Sequence, residues 1–174
     1  SETKEHLRRA VLEGCYRLKT APTETFANVN LFAVGAMVPE ALEAVDALAE
    51  EGVGLNIFVV TSPDLLYRRV KNNALTEPTD NTNQQNNPTG ILRPDETHLP
   101  VITILDGHPH SMSFLSGALG QPSVNLGVET YGQSGSRADL YRHFGIDSGS
   151  ICSAALELAE SAPDRISTAS GDRK

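Results

Sequence analysis

Asn30-Leu31-Phe32-Ala33-Val34-Gly35 and, one helix further on, Gly52-Val53-Gly54-Leu55-Asn56-Ile57-Phe58-Val59-Val60 are the stretches that decide the fold. Both are compact apolar runs punctuated by glycine, and the second is rich in β-branched residues, so both read as strands. Between them Leu42, Val45, Leu48 and Ala49 recur at helical spacing, with Pro39 tolerated in the first turn, where its missing N–H costs no helical bond. Gly52 stops that helix. The unit is strand, glycine turn, helix, strand, and a right-handed crossover makes the two strands parallel.

Working outward, Leu7, Ala10, Val11 and Gly14 follow helical spacing, and Cys15-Tyr16-Arg17-Leu18-Lys19 then alternates apolar with polar before Ala21-Pro22. This predicts a helix followed by an edge strand. On the other side Thr61-Ser62-Pro63-Asp64 caps a helix through Leu65, Leu66, Tyr67 and Val70. Residues 72–97 are dominated by Asn, Thr, Gln and Pro, which bury too little apolar surface to offset their ordering entropy. A disordered surface insertion is expected there. Leu99-Pro100-Val101-Ile102-Thr103-Ile104-Leu105 then reads as a strand covered on both faces. Phe114, Leu115 and Leu119 suit a short helix before Gly120, and Ser123 to Val128 supplies another strand. A loop from Glu129 to Ser136 leads into a helix through Leu140, Tyr141 and Phe144. The last helix is capped by Asp147 and buries Ile151, Ala154, Ala155, Leu158 and Ala159. One α/β domain over 1–162 accounts for the pattern, with 163–174 as a tail.

Charge and cysteine content narrow the class. A net charge of -8 argues against nucleic acid and against an anionic membrane surface, since both are polyanions. Arg8-Arg9 and the Arg68-Arg69-Lys71 cluster read as solvated helix faces or a helix C-terminus, in preference to a binding patch. Cys15 and Cys152 show no ligand spacing, so a reduced, cytoplasmic protein is expected. No apolar run approaches the roughly 20 residues of a membrane-spanning helix. The opening Ser1-Glu2-Thr3-Lys4 already reads as the cap and first turn of a helix, as the cut edge of a longer protein would.

Open α/β sheets bind ligands at the carboxyl edge, which here gathers the loops after Val34, Leu105 and Val128. The first, Gly35-Ala36-Met37, has one glycine and lacks both glycine-rich phosphate fingerprints, so Gly35 is assigned to the turn. The second, Asp106-Gly107-His108-Pro109-His110, joins a carboxylate to two imidazoles. Histidines hydrogen-bonded at a domain or subunit interface are favoured over a metal or a proton-transfer pair, because no third ligand can be placed. The third holds Gly132, Gln133, Ser134, Gly135, Ser136 and Arg137 at a helix start. Ser136 with Asp139 has the spacing of a reciprocal cap, and self-capping or interface contact is favoured over binding of a small anion. No Gly-x-Ser-x-Gly elbow follows a strand, and neither cysteine has a local histidine partner, so no catalytic residue is assigned.

These loops also carry a resemblance. Ile104-Leu105-Asp106-Gly107-His108-Pro109-His110-Ser111-Met112-Ser113-Phe114-Leu115, then Leu126-Gly127-Val128, then Tyr131-Gly132-Gln133-Ser134-Gly135-Ser136-Arg137 is similar to the C-terminal domain of homodimeric pyruvate-dehydrogenase-type decarboxylating components. Ala138 to Asp147, with its Phe144-Gly145-Ile146 step, resembles the motif leading into the last helix of transketolases, and Val59-Val60-Thr61-Ser62-Pro63-Asp64 fits the dehydrogenase pattern. The resemblance covers about Leu7 to Glu160, apart from the Asn-rich insertion, which leans the assignment to the dehydrogenase branch.

It implies a three-layer α/β sandwich with a mostly parallel sheet of about five strands and one antiparallel edge strand. It further implies that thiamine diphosphate and its magnesium are held by two other domains of a homodimeric parent, so that no cofactor or metal ligand carries over. Asp106-Gly107 is not the family's Gly-Asp-Gly to Asn metal signature. The partners implied are the N-terminal and middle domains and the second subunit. A 2-oxo acid dehydrogenase component is the first choice of parent and a transketolase the second.

Overall fold

The computed structural model of the chain describes residues 2–75, 88–130, 132 and 134–161. Its centre is a five-stranded sheet of order β1-β3-β2-β4-β5, formed by Cys15–Lys19, Ala27–Val34, Val53–Val60, Val101–Ile104 and Ser123–Leu126 numbered in chain order. β1 runs antiparallel to β3, and every other pairing is parallel. The expected three-layer architecture and its antiparallel edge strand are present.

Strand pairing places alternate residues on opposite faces, and the two faces build two cores. Val29, Leu31 and Ala33 of β2, Leu55 and Ile57 of β3 and Ile102 and Ile104 of β4 face α2 (Val38–Glu50) and α6 (Ser148–Ser161). Phe32, Phe58, Val60 and Val101 face the other way, toward Leu66 and Val70 of α3 (Pro63–Leu75) and Leu115 and Leu119 of α4 (Phe114–Leu119). Phe32 and Phe58, opposite each other in the β2–β3 register, stack with ring centroids 4.7 Å apart. α5 (Arg137–His143) sets Tyr141 against the α2–α6 side.

Two helical faces differ from the sequence reading. α2 buries Ala41, Ala44, Val45 and Leu48, whereas Leu42 and Ala49 are exposed, because its stripe is rotated toward the small residues that let α6 approach. α1 (Glu2–Leu12) forms where the spacing places it, yet Leu7 and Val11 remain partly exposed and join neither core. α6 keeps its expected face, with Ile151, Ala154, Ala155 and Leu158 buried and Ala159 half-buried.

The described ends of the segment 72–97, residues 72–75 and 88–97, are structured where composition predicts disorder. Residues 72–75 extend α3, and 88–97 pack against the body, with Thr89, Leu92 and Glu96 buried. Residues 76–87, and the tail from 162 on, lie outside the described residues. The anchor is polar. Asn30 and Asn56 face one another in the β2–β3 register, and the Asn56 amide donates to Asn30 Oδ1 at 3.1 Å. Asn30 Nδ2 donates to the Glu96 carbonyl at 2.8 Å, and the Glu96 carboxylate takes Arg17 of β1 and the Arg93 backbone N–H. Arg17 in turn lies over the Phe58 ring, 4.7 Å from its centroid.

Candidate interface at the carboxyl edge of the sheet

β2, β4 and β5 are neighbours, so the loops that follow them open side by side at one edge. The first is closed within itself. Gly35 adopts φ +47° and starts a single 3-10 turn that buries Met37 beneath α2, and the helix begins at Val38-Pro39 with no side-chain cap. This is the turn role expected of the glycine.

The second and third connections are zipped together at their roots. The Leu105 N–H donates to the Leu126 carbonyl at 3.2 Å, and the Val128 N–H donates to the Gly107 carbonyl at 2.9 Å. Gly127 is required by this approach, because a Cβ there would sit 2.6 Å from the Gly107 carbonyl oxygen and 2.8 Å from the Pro109 nitrogen. That close packing was missed in the sequence, where Leu126-Gly127-Val128 reads simply as strand.

Past the root, the Asp106 loop turns outward. Pro109 is buried at the start of a 3-10 turn (Pro109–Ser111), while Asp106, His108 and His110 are exposed. His108 Nδ1 accepts the His110 backbone N–H at 3.2 Å, which leaves Nε2 of His108 as the outward-facing nitrogen. The two imidazole rings are 6.3 Å apart and tilted. Among the described residues no group of three or more His, Cys, Asp or Glu side chains is placed to hold a metal ion. Beside His110 an open depression of about 470 Å³ is lined by Pro63, Asp64, Tyr67, Ser111 and Phe114, with Tyr67 edge-on to Phe114 at 5.3 Å.

In the third loop Ser136 caps its own helix, but the reciprocal bond, from the Ser136 backbone N–H to the Asp139 carboxylate, is not made. Its Oγ accepts the Asp139 N–H at 3.2 Å and donates to Asp139 Oδ2 at 2.6 Å. Gly132, Ser134, Gly135 and Arg137 are exposed, and Gln133 lies outside the described residues. Arg137 leans over the Tyr141 ring at 5.7 Å. The Asp139 amide is therefore taken by the Ser136 hydroxyl oxygen and the hydroxyl proton by the Asp139 carboxylate, which adds negative charge beside them.

Neither thiol is poised for nucleophilic attack. Burial pushes Cys15 up to about 12 despite Arg69 nearby, and Cys152 is also raised, first by burial and then by Asp147 and Glu43.

Comparison with known proteins agrees with this architecture. Residues 14–147 match the family described as the transketolase-like TK C-terminal domain. The chain is 26% identical over 155 residues to the chromosomal transketolase of Cupriavidus necator, covering 89% of this chain and 20% of that protein. It is 26% identical over 152 residues to a pyruvate dehydrogenase E1 component of Mycolicibacterium smegmatis, covering 85% of this chain and 16% of that protein. Transketolase from Leishmania mexicana shares the fold with a TM-score of 0.59 at 22% identity, over 90% of this chain and 19% of that one. The chain spans about a fifth or less of the length of these relatives. It belongs to the transketolase-like C-terminal domain family.

Proposed function

We propose that this chain is a non-catalytic assembly domain of a cytoplasmic thiamine-diphosphate enzyme, holding the cofactor-binding domains and the second subunit of a homodimer in place. The observation that carries this reading is the carboxyl edge. Its backbone groups are spent on the fold, through the zipped roots and the Ser136–Asp139 cap, while Asp106, His108, His110 and Arg137 point outward as an interface would need. Supporting it as well, the three loops of this edge carry neither a glycine-rich phosphate fingerprint nor the family's Gly-Asp-Gly to Asn metal signature.

A 2-oxo acid dehydrogenase component is the favoured parent, supported by the Asp106 to Leu115 and Tyr131 to Arg137 motifs and by the pyruvate dehydrogenase relative. A transketolase parent is the alternative, supported by the chromosomal transketolase relative. An assay of the chain supplied with thiamine diphosphate and magnesium should show neither pyruvate decarboxylation nor ketol transfer between sugar phosphates. Turnover that copurifies with the chain would overturn the proposal.

The other reading, a regulatory anion site at 132–137, rests on Arg137 at a helix start. NMR titration with inorganic phosphate should leave the Ser136 and Asp139 amides unmoved. Saturable shifts confined to that loop would favour the anion site instead.

A further inference from the structure

Residues 88–97 are held together from within and tied to the body by side chains. The Ile91 N–H donates to Thr89 Oγ1 at 3.3 Å and the Arg93 N–H to the Glu96 carboxylate at 2.7 Å. The Glu96 N–H donates to the Arg93 carbonyl at 3.0 Å, and the Leu99 N–H to the Glu96 carbonyl at 3.2 Å. Such local bonds survive when a segment moves as a body. The ties to neighbouring elements are of another kind. Asn73 Nδ2 of α3 donates to the Pro88 carbonyl at 2.9 Å, Asn30 Nδ2 of β2 donates to the Glu96 carbonyl, and Arg17 of β1 pairs with the Glu96 carboxylate. Leu92 is buried in the second core, with Ile91 packed against that core. Beyond the segment β4 has its own anchors, because the Asn30 N–H donates to the Pro100 carbonyl and the Val101 N–H to the Pro122 carbonyl.

The Arg17 pairing is one-armed. Nη2 meets Glu96, whereas Nη1 is buried and has no acceptor among the described residues. A buried donor without a partner offsets part of what the pair contributes, and solvent reaches that donor once the segment lifts. We propose that residues 88–97 are a strap that unlatches from the sheet as one unit while the sheet stays folded, with the Arg17–Glu96 pair as its lock. Opening draws Leu92 out of the second core and uncovers the guanidinium that lies over Phe58, so the strap shows or hides a cationic and apolar patch of this domain. This goes beyond the assembly role and does not rest on it.

The test is hydrogen exchange followed by NMR on the intact chain, at denaturant concentrations below the unfolding transition. The Ile91, Arg93 and Glu96 amides should exchange through one shared opening, at least about tenfold more often than the protected amides of β2 and β3 and with a shallower dependence on denaturant. Glu96→Gln keeps the shape and an acceptor for the Arg93 N–H while removing the charge that Arg17 meets. It should speed exchange at all three amides by a common factor, Ile91 included, although the Ile91 N–H bonds to Thr89 and not to Glu96. Strap amides that open only together with the central strands would overturn the proposal. So would exchange indifferent to E96Q, or piecemeal fraying in which E96Q accelerates Arg93 and Glu96 and leaves Ile91 unchanged.

Discussion

Asp147 shows how one side chain sets a helix start. Its Oδ1 accepts the Ser150 N–H at 3.0 Å and the Ser150 hydroxyl at 2.6 Å, and the hydroxyl bond is the main cause of its lowered pKa. A carboxyl whose folded pKa lies below the ordinary 3.8 contributes stability that is fully present above that value and is lost as pH falls through the lower folded one. Asp147→Ala should therefore cost about 0.5–2 kcal/mol at neutral pH, and chemical denaturation should show the gap to wild type closing below pH 3.8. Gly127→Ala should cost about 1–3 kcal/mol by forcing a methyl against the Gly107 carbonyl, a loss that a thermal melt would register. The thiols make a third case at this scale. Cys15, buried and shifted to about 12, should resist alkylation in the native chain at pH 8, leaving Cys152 as the slow site, with both labelled after unfolding.

At the scale of elements, the sequence was informative wherever burial was periodic. The β2–α2–β3 unit follows from two apolar runs and a helical stripe between glycines, and β4 from a run covered on both faces. The cap at Ser136 was legible because hydroxyl and carboxylate stand three residues apart. What stayed hidden depends on contacts between distant residues. Composition marks 88–97 as unstructured, but Glu96 is drawn in by Arg17 and Asn30, which lie 79 and 66 residues away. The one local trace was an asparagine inside each apolar run, Asn30 and Asn56, which the parallel register brings together. Breaking this clip should be expensive, since Glu96→Ala leaves a largely buried Arg17 unpaired. A loss of about 3–5 kcal/mol is expected by denaturant titration, and a smaller one for the double variant Arg17→Met with Glu96→Leu.

Among the described residues, the two cores account for the sheet and every helix but α1, and outside them lie the exposed side chains of the carboxyl-edge loops and the exposed side of α1. A domain that spans a fifth or less of its relatives has reason to keep such surfaces. The sequence announced the first through its motifs and obscured the second, because helical spacing says that a face is apolar without saying what covers it. The central claim is that this domain contributes assembly and leaves the cofactor to other domains. Isothermal titration calorimetry of the chain with thiamine diphosphate and magnesium tests it most directly. No saturable heat should be seen, and saturable binding in the micromolar range would contradict it.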